Sequence, residues 1–294
     1  MLLSNQQLNE SQLRDLRQLT ELCQNADGGL PAIYYPLISQ KRDTENNVFY
    51  YQHENLLGFL SVYFFYPDAV EVSLLTAPSH RRQGIASQLL QKIMPLLVTK
   101  NINKLIFSTS SSFGDKWLPE KGFAYQQSEY HMERNSFETL LISNQSLTLR
   151  KATMADMDVL CSLDIACFPE HQTDMIERFT FLINSSDYDI LLATNNDLIL
   201  GKAHINWQNE KTLLSDIAIL PDYQGRGFGG ELLSHCINHA LSLGKINLAL
   251  DVETKNQSAL NLYLRHGFKT THIYDYWTTP LNKLKDFNNE CSPD

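Results

Sequence analysis

The sequence predicts an α/β fold made of two similar domains, and three observations predict it. The chain has 294 residues, which is long enough for two ordinary domains that each bury a core. Runs of alternating apolar residues, typical of strands, are interspersed with the apolar spacing typical of helices. One succession of strand, glycine-containing turn and helix occurs twice, about 143 residues apart. With 43% hydrophobic and 19% charged residues, the composition is that of a globular protein.

The first copy begins with an amphipathic helix around Leu13–Cys23 and offers no clear opening strand. A hairpin is predicted from Val48–Gln52 and Leu56–Phe64, which are separated by a polar turn. The alternating segment Val70–Thr76 then leads through the basic turn Arg81–Ala86 into a helical pattern.

The second copy repeats this order and adds an opening strand at Leu147–Arg150. Thr153 is placed to cap a helix over Met154–Ala166. A hairpin follows, then the strand Leu213–Leu220, the turn Gln224–Gly229 and another helical pattern. Loop-like residues between the copies place the domain limits at 1–140 and 147–294.

The chain carries no signal for export or membrane insertion. Its longest nearly apolar run, Leu56–Tyr66, is shorter than the roughly 20 residues that cross a bilayer. Met1–Glu10 lacks a basic region followed by an apolar one. We therefore expect a cytoplasmic protein without a membrane partner.

The cysteines and histidines do not suggest a disulfide framework or a metal site. The five cysteines are an odd number without a C-x-x-C pair. His235 and His239 are four residues apart, but no third ligand accompanies them, so we interpret them as a surface pair. We expect no metal.

The charge of the chain is acidic and uneven. There are 24 basic and 33 acidic residues, a net charge of −9. The first 146 residues hold 12 basic and 14 acidic residues, and the remainder holds 12 and 19. Such a field repels nucleic acid and favours cationic amine acceptors. The oligomeric state stays open.

The two glycine turns have the properties of a pyrophosphate cradle. Each connects a strand to a helix whose first N–H groups lack intrahelical partners. Because glycine has no side chain, it lets a phosphate approach that backbone. Gln224–Gly229 resembles the Q/R-x-x-G-x-G/A signature of the GCN5-related N-acetyltransferase (GNAT) family, and Arg81–Ala86 also fits it. The second copy continues with a segment similar to the second motif of that family, which includes Asn256, Tyr263 and Gly267.

The resemblance implies two GNAT-like domains, each a mixed, mostly antiparallel twisted sheet flanked by helices, that use acetyl-CoA and no metal. It implies that the backbone amides of Ile217 and Ile219 bind the pantetheine arm and polarise the thioester. The remaining cofactor residues that it implies are Gln224, Gly225, Arg226, Gly227, Gly229 and Asn256. A second cofactor site would consist of Arg81, Arg82, Gln83, Gly84 and Ala86.

For catalysis, the resemblance implies that Tyr263, on a predicted helix Gln257–Arg265, protonates the departing thiolate. Asp251 is our candidate for the base that deprotonates the amine, although a solvated carboxylate at a strand end is an equal alternative. Glu253 and Asp216 are weaker candidates for the base. Tyr274, Tyr276 and Trp277 are assigned to a late strand rather than to an acceptor pocket.

The first copy departs from the second motif, since Leu118 stands where Tyr263 does and Ser111 stands where Asn256 does. We therefore predict that the first domain is catalytically degenerate. The predicted function is direct acetyl transfer, in the C-terminal domain, to a primary amine of a small molecule or peptide terminus. The alternatives are a non-catalytic CoA-binding regulatory protein and the transfer of a longer acyl or aminoacyl group.

Overall fold

The structure is a computed structural model that describes residues 1–30, 33–111, 117–142, 145–168, 175–208 and 211–283. The chain forms two compact units. Unit 1 consists of Met1–Glu129 and His272–Asp294, and unit 2 consists of Tyr130–Thr271. Within the described ranges, the helices are too short or too polar to cross a membrane.

The strands and helices alternate along the chain as the sequence predicts. The strands are β1 Leu2–Asn5, β2 Asn47–Gln52, β3 Asn55–Tyr63, β4 Ala69–Thr76, β5 Lys104–Ser110, β6 Ala124–Asn135, β7 Thr148–Lys151, β8 Tyr188–Asn195, β9 Leu198–Trp207, β10 Thr212–Ile219, β11 Asn247–Glu253 and β12 Lys269–Pro280. The helices are α1 Glu10–Asp27, α2 Tyr35–Ile38, α3 Ile85–Thr99, α4 Trp117–Glu120, α5 Met157–Cys167, α6 Met175–Asn184, α7 Phe228–Ser242 and α8 Gln257–Arg265. The helix Gln257–Arg265 is thus confirmed.

The sheet of unit 1 has the order β1-β2-β3-β4-β5-β12. Neighbouring strands are antiparallel except β4 and β5, which are parallel. The predicted hairpin of β2 and β3 is confirmed. The sequence offered no strand before α1, but Leu2–Asn5 pairs with β2. This four-residue strand has too short a pattern to be recognised, because it is held by its partner rather than by a buried stripe.

Helix α1 forms for reasons that are visible in the sequence. Asn9 caps its start, because its side chain accepts from the Gln12 amide while the Gln12 side chain accepts from the Asn9 amide. The helix ends at Gly28, which adopts the left-handed conformation. Its buried face, which includes Leu16 and Cys23, packs into the core of unit 1.

Unit 2 contains the sheet order β6-β11-β10-β9-β8-β7, in which β10 and β11 are parallel. Its core lies partly between the sheet and the helices α7 and α8, and partly under α5 and α6. The predicted cap is confirmed, since Thr153 and Asp156 form a reciprocal capping box. The cap begins a short 3₁₀ turn, Met154–Asp156, that leads into α5.

Each unit includes one strand segment from the other half of the sequence. The part of β6 from Tyr130 onward belongs to unit 2, where Met132 is fully buried in the core. The part of β12 from His272 onward belongs to unit 1, where it pairs with β5 and where Trp277 enters the core. The limits 1–140 and 147–294 therefore remain a prediction about the two sequence copies. The compact units have different limits, because the end of β6 belongs to unit 2 and most of β12 belongs to unit 1.

Candidate active site

The parallel strands β10 and β11 separate after a short ladder. They pair at Thr212 with Leu248 and at Leu213 with Ala249, where their register ends. Beyond this point β10 continues toward the glycine turn and α7. In unit 1, β4 and β5 also stop pairing before β4 ends, after Val72 and Phe107. An opening between two central strands is thus present in both units.

Strand β10 contains a β-bulge beside this opening. Its register with β9 shifts between Ser215 and Ala218. Asp216, inside the bulge, has a φ of 48°, a left-handed conformation that non-glycine residues seldom adopt. A bulge adds a residue to one strand and redirects its peptide groups and side chains.

Strand β4 lacks this extra residue. The residues opposite Val62 and Gly58 of β3 are Val72 and Thr76, four positions apart. The matching residues of β10 are one position further apart: Leu214 lies opposite Ile205, and Ile219 lies opposite Gly201. The two strands therefore differ by one residue in the segment that leads to the glycine turn.

Gly201 permits the bulge to approach β9 closely. A Cβ at this position would lie 2.2 Å from the Ala218 carbonyl oxygen and 2.7 Å from the Ile219 side chain. At the matching Gly58 of unit 1, a Cβ would instead meet side-chain atoms, the nearest being 2.5 Å away on Ile85. Only in unit 2 does backbone occupy that space.

The glycine turn of unit 2 is exposed and leads directly into α7. Gln224 donates through Nε2 to the Ile219 carbonyl at 2.8 Å, which fixes the turn to the end of β10. Gly225 and Gly227 have φ values of 74° and 91°, and Gly227 is the N-cap of α7. A Cβ at Gly227 would meet no described protein atom within 4 Å. The space in front of α7 is open to an anion.

The turn of unit 1 has the same backbone course with different side-chain contacts. Arg81 forms a bidentate ion pair with Asp27 of α1, both bonds measuring 2.7 Å. Its Nε also donates to the Thr76 carbonyl at 3.2 Å. Arg82 has a φ of 59°, where unit 2 has Gly225. Arg81 thus fastens the turn to α1.

The residues of the second motif lie on α8. Asn256 caps the helix, accepting from the Ala259 amide at 3.0 Å. The Tyr263 side chain is buried in the core of unit 2, and burial raises its pKa to about 12. Because of this raised pKa, Tyr263 holds its proton at neutral pH. At the matching positions of unit 1, Leu118 is fully buried in the core, and the Ser111 amide donates to the Ile273 carbonyl.

Asp251 lies on β11 with its side chain 50% exposed. Its Oδ1 is 2.7 Å from Nδ1 of His131, a residue of β6. His131 is also 3.3 Å from Glu133, which forms an ion pair with Lys211. Asp251 is accessible to solvent and is oriented by a histidine 120 residues earlier in the chain.

A buried charged network extends from α5 to the bulge. Lys202 of β9 is fully buried, and its Nζ lies 2.8 Å from Asp164 and 3.0 Å from Nε2 of His204. Nδ1 of His204 lies 3.2 Å from Asp216. Arg178 of α6 also pairs with Asp164.

This network fixes the charge of Asp216. Burial would raise the pKa of Asp216, but His204 and then Lys202 hold it well below its ordinary value. Burial lowers the pKa of His204, and the Lys202 ammonium lowers it further, against the effect of Asp216. A neutral His204 can accept from Lys202 and donate to Asp216, which stays a carboxylate.

A match to a family profile decides the family of the chain. A family profile described as "Acetyltransferase (GNAT) family" matches residues 12–114 and 157–268. The chain belongs to the GNAT acetyltransferase family. The match includes both glycine turns, so each copy carries the GNAT pattern.

Named relatives within the family match only part of the chain. "L-amino acid N-acyltransferase MnaT" of Escherichia coli is 32% identical over 89 residues, which cover 29% of this chain and 52% of the relative. "[Ribosomal protein bS18]-alanine N-acetyltransferase" of Salmonella typhimurium is 34% identical over 95 residues, which cover 32% of this chain and 64% of the relative. The chain thus spans between half and two thirds of the length of these GNAT relatives.

Solved structures with the same fold cover nearly the whole chain. A GCN5-related N-acetyltransferase from Sphaerobacter thermophilus has a TM-score of 0.78 at 15% identity, covering 95% of this chain and 96% of that one. A tandem GNAT protein from the clavulanic acid biosynthesis pathway has a TM-score of 0.72 at 12% identity, covering 96% and 99%. The expected tandem GNAT fold is confirmed.

The structure unites some of the sequence-predicted residues and adds others. The segment from the bulge to α7 contains Ile217, Ile219, Gln224 and Gly227. Asn256 and Tyr263 belong to a separate element, since Asn256 caps α8 and Tyr263 lies within it. Lys202 and His204 were missed, although two basic residues at period two in an otherwise apolar strand were a detectable signal. His131 gave no signal, because its neighbour is distant in sequence. Among the described residues, no group of three or more metal-ligating side chains is found.

Proposed function

We propose that this GNAT protein transfers acetyl from acetyl-CoA directly to a primary amine of a small molecule or a peptide terminus, with the chemistry in unit 2. The bulge in β10 is the observation that carries the proposal. It lies beside the opening between β10 and β11. The glycine turn that follows β10 leads to the N-terminus of α7, where a phosphate can bind in this proposal.

In this proposal the bulge supplies the oxyanion donors. Peptide groups in a bulge leave the regular ladder, so the amide of Ile217 can face the opening instead of β9. Together with the amide of Ile219, it would bind the pantetheine arm and stabilise the charge that develops on the thioester oxygen. The uninterrupted pairing of β4 favours a catalytically degenerate unit 1.

The protons of the reaction can be assigned to side chains of unit 2. The amine nitrogen attacks the thioester carbonyl carbon, the new C–N bond forms and the C–S bond breaks. Tyr263, which retains its proton, gives it to the departing thiolate. The proton lost by the amine passes to Asp251, directly or through water. The fixed charge of Asp216 attracts the ammonium form of the acceptor to the bulge.

The relatives support an amino group as the acceptor. One is named for L-amino acids and another for the alanine of a ribosomal protein. The word acyltransferase in the first name also favours a second candidate, transfer of a longer acyl group. Free Cys23 and Cys236 are compatible with the reducing cytoplasm that we propose as its location.

The proposal is tested by an amine panel combined with two changes at the bulge. Purified protein is incubated with amino acids, peptides or polyamines and with acetyl-CoA or a longer thioester, and free thiol and acylated product are measured. Deleting Asp216 gives β10 the length of β4 and should abolish turnover. Asp216→Gly keeps the residue count and tolerates the positive φ, so it should retain kcat but raise KM for cationic acceptors.

Three results would contradict the proposal. One is the absence of an acylated amine from the whole panel. Another is wild-type turnover after the deletion. The third is equal loss in both variants, which would assign the effect to the carboxylate and not to the bulge.

A further inference from the structure

A row of four charged side chains crosses the sheet of unit 2 at β6 and β11. It consists of Asp251 on β11, His131 and Glu133 on β6, and Lys211 just before β10. Nδ1 of His131 lies 2.7 Å from Oδ1 of Asp251, and Nε2 lies 3.3 Å from Oε1 of Glu133. Glu133 also forms an ion pair with Lys211. The imidazole is therefore held between two carboxylates, and its side chain is only 14% exposed.

Glu133 fixes the side of the ring that faces away from Asp251. Burial would raise the pKa of Glu133, but Lys211 and then His131 hold it below its ordinary value. Glu133 is therefore a carboxylate at neutral pH, and it attracts the Nε2 side of the imidazole. With one nitrogen held in this way, the other is directed at Asp251.

Asp251 lies beside the opening between β10 and β11. It is two residues beyond Ala249, the last residue of β11 that pairs with β10. The residues on either side of it, Leu250 and Val252, belong to the core under α7 and α8. Because successive side chains of a strand point to opposite faces, Asp251 points to the face away from α7.

The two oxygens of the Asp251 carboxylate have different surroundings. In the described part of the chain, Oδ1 contacts His131, and Oδ2 has no hydrogen-bond or ion-pair partner. A carboxylate that acts as a base must be ionised and can then only accept hydrogen bonds, so Nδ1 of His131 carries the hydrogen. That hydrogen bond restricts the rotation of a half-exposed side chain, and it leaves Oδ2 for an amine or a water molecule.

Unit 1 has uncharged residues at the same positions. Asp251 and Ser108 are both the fifth residue of their strands, β11 and β5. His131 and Tyr276 are both the eighth residue of theirs, β6 and β12. Ser108 and Tyr276 lie directly opposite each other in unit 1, just as Asp251 and His131 are in contact in unit 2. At these positions the acid and the imidazole thus occur only in the unit to which the proposed chemistry is assigned.

We propose that His131 is a positioning residue for the base of unit 2, because its Nδ1–H holds Oδ1 of Asp251 and leaves Oδ2 to receive the proton of the acceptor amine. The inference rests on the proposed acetyl transfer. The proton passes from the amine to Asp251, directly or through water, and then to solvent, while His131 keeps its own hydrogen. Since His131 lies within the first sequence copy, the second copy alone does not supply the complete catalytic site.

The role of His131 is tested with two variants of nearly equal size. His131→Asn keeps an N–H donor close to the place of Nδ1, whereas His131→Leu has the same branching without a donor. His131→Leu should lower kcat by as much as Asp251→Asn, a few-fold to about tenfold, and leave KM for acetyl-CoA unchanged. His131→Asn should keep kcat near that of the unchanged protein. Tyr276→Phe, at the matching position of unit 1, is the control and should also keep kcat.

A double variant separates positioning from a merely structural role. In Asp251→Asn protein the group that His131 positions is already changed, so adding His131→Leu should cause no further loss of kcat. Full kcat in His131→Leu, equal losses in His131→Leu and His131→Asn, or losses that multiply in the double variant would each overturn the proposal. If acetyl transfer itself is wrong, no variant forms product, whereas a wrong role for His131 leaves product formation intact when His131 is changed.

A measurement without turnover covers the case in which His131→Leu does not fold. In protein labelled with ¹⁵N-histidine, NMR should show a hydrogen on Nδ1 of His131, identified by the loss of its signal in His131→Asn. That signal should shift in Asp251→Asn, where the partner has lost its charge, and stay in place in Tyr276→Phe. A bare Nδ1, or a signal that Asp251→Asn does not move, would overturn the proposal.

Discussion

The two glycine turns are alike, but the strands that lead into them are not. Both turns have left-handed residues at matching positions and begin a helix of 15 residues. Strand β10 has one extra residue before its turn, whereas β4 pairs with β3 without interruption. The comparison indicates that the turn geometry proposed for phosphate binding can be kept in a unit that lacks the bulge proposed for catalysis.

The two strands also carry acids whose surroundings differ. Glu71 of β4 is buried, accepts from the Tyr34 hydroxyl, and has its pKa raised to about 7 by burial, so its charge depends on pH. Asp216 of β10 is linked to His204 and Lys202, and its pKa is held well below its ordinary value. Asp216 therefore stays a carboxylate at neutral pH, whereas the charge of Glu71 changes near neutral pH.

The largest expected effect is the loss of turnover in Gly227→Val. A branched side chain at a φ of 91° is strained, and it would occupy the open space in front of α7. Gly244→Val, at a φ of 75° and also in open space, is the control for strain alone. Turnover should vanish in the first variant and persist in the second, whereas Gly84→Val should leave turnover measurable. Calorimetry that finds unchanged acetyl-CoA affinity in Gly227→Val would exclude this turn from the cofactor site.

Next in size is Tyr263→Phe, which removes one hydroxyl and keeps the ring in the core. We expect kcat to fall by about 10² to 10⁴-fold with little change in cofactor affinity. Leu118→Ala in unit 1 should keep near-normal turnover, but it can cost roughly 2 to 5 kcal/mol of stability, so a thermal melt must precede its kinetics. A folded Leu118→Ala protein as inactive as Tyr263→Phe would show that unit 1 takes part in catalysis.

A smaller effect is expected from Gly201→Ala, which disturbs the bulge from β9. The new Cβ would require the Ala218 carbonyl to move, so kcat should fall by roughly tenfold and stability by about 1 to 3 kcal/mol. Gly58→Ala should lower stability by a similar amount, because its Cβ would meet the Ile85 side chain, but it should spare kcat. Parallel losses of kcat in the two variants would mean that general destabilisation, and not the bulge, controls turnover.

Asp251→Asn should reduce turnover less, by a few-fold to about tenfold, because water can reach this half-exposed position and accept the proton. The reduction should be greatest at low pH, where more of the acceptor amine is protonated. The measurement is a pH–rate profile of kcat/KM. A profile that overlays that of the unchanged protein would leave the base to Asp216, Glu253 or bulk water.

The smallest effect on turnover is expected for Glu71→Gln, which should instead change stability. The pKa of Glu71 is near 7 in the folded protein and near 4.5 in an unperturbed glutamate, so folding binds a proton between these values. Stability is therefore lost as pH rises through this window, and glutamine avoids the loss. Glu71→Gln should match the unchanged protein near pH 4 and exceed it above pH 7 by on the order of 2 kcal/mol. Urea unfolding at both pH values measures this, and identical curves would show that Glu71 is ionised without cost.

Local patterns were sufficient to predict the glycine turns, the hairpins and α8. The bulge could not be predicted, because a difference in loop length offsets it. The connection from Val62 to Val72 in unit 1 is one residue longer than that from Ile205 to Leu214 in unit 2. The extra residue of the bulge in β10 restores the same distance in sequence between the hairpin and the glycine turn in both copies. Repeat spacing therefore conceals it.

Long-range partners were the other missing information. Nothing in the sequence near His131 or Asp251 indicates that they meet, and the pairing of β5 with β12 joins residues more than half the chain apart. Side-chain periodicity reports which face of a strand is buried, but not which strand lies beside it.

The exchanged strands have a consequence for synthesis on the ribosome. Proteins are made from the N-terminus, and domains commonly fold as they emerge. Unit 1 needs His272–Pro280 to complete its sheet, and by then every residue of unit 2 has been made. The N-terminal unit is therefore the last to be completed, and during translation its strand β5 must wait with an unpaired edge until β12 arrives.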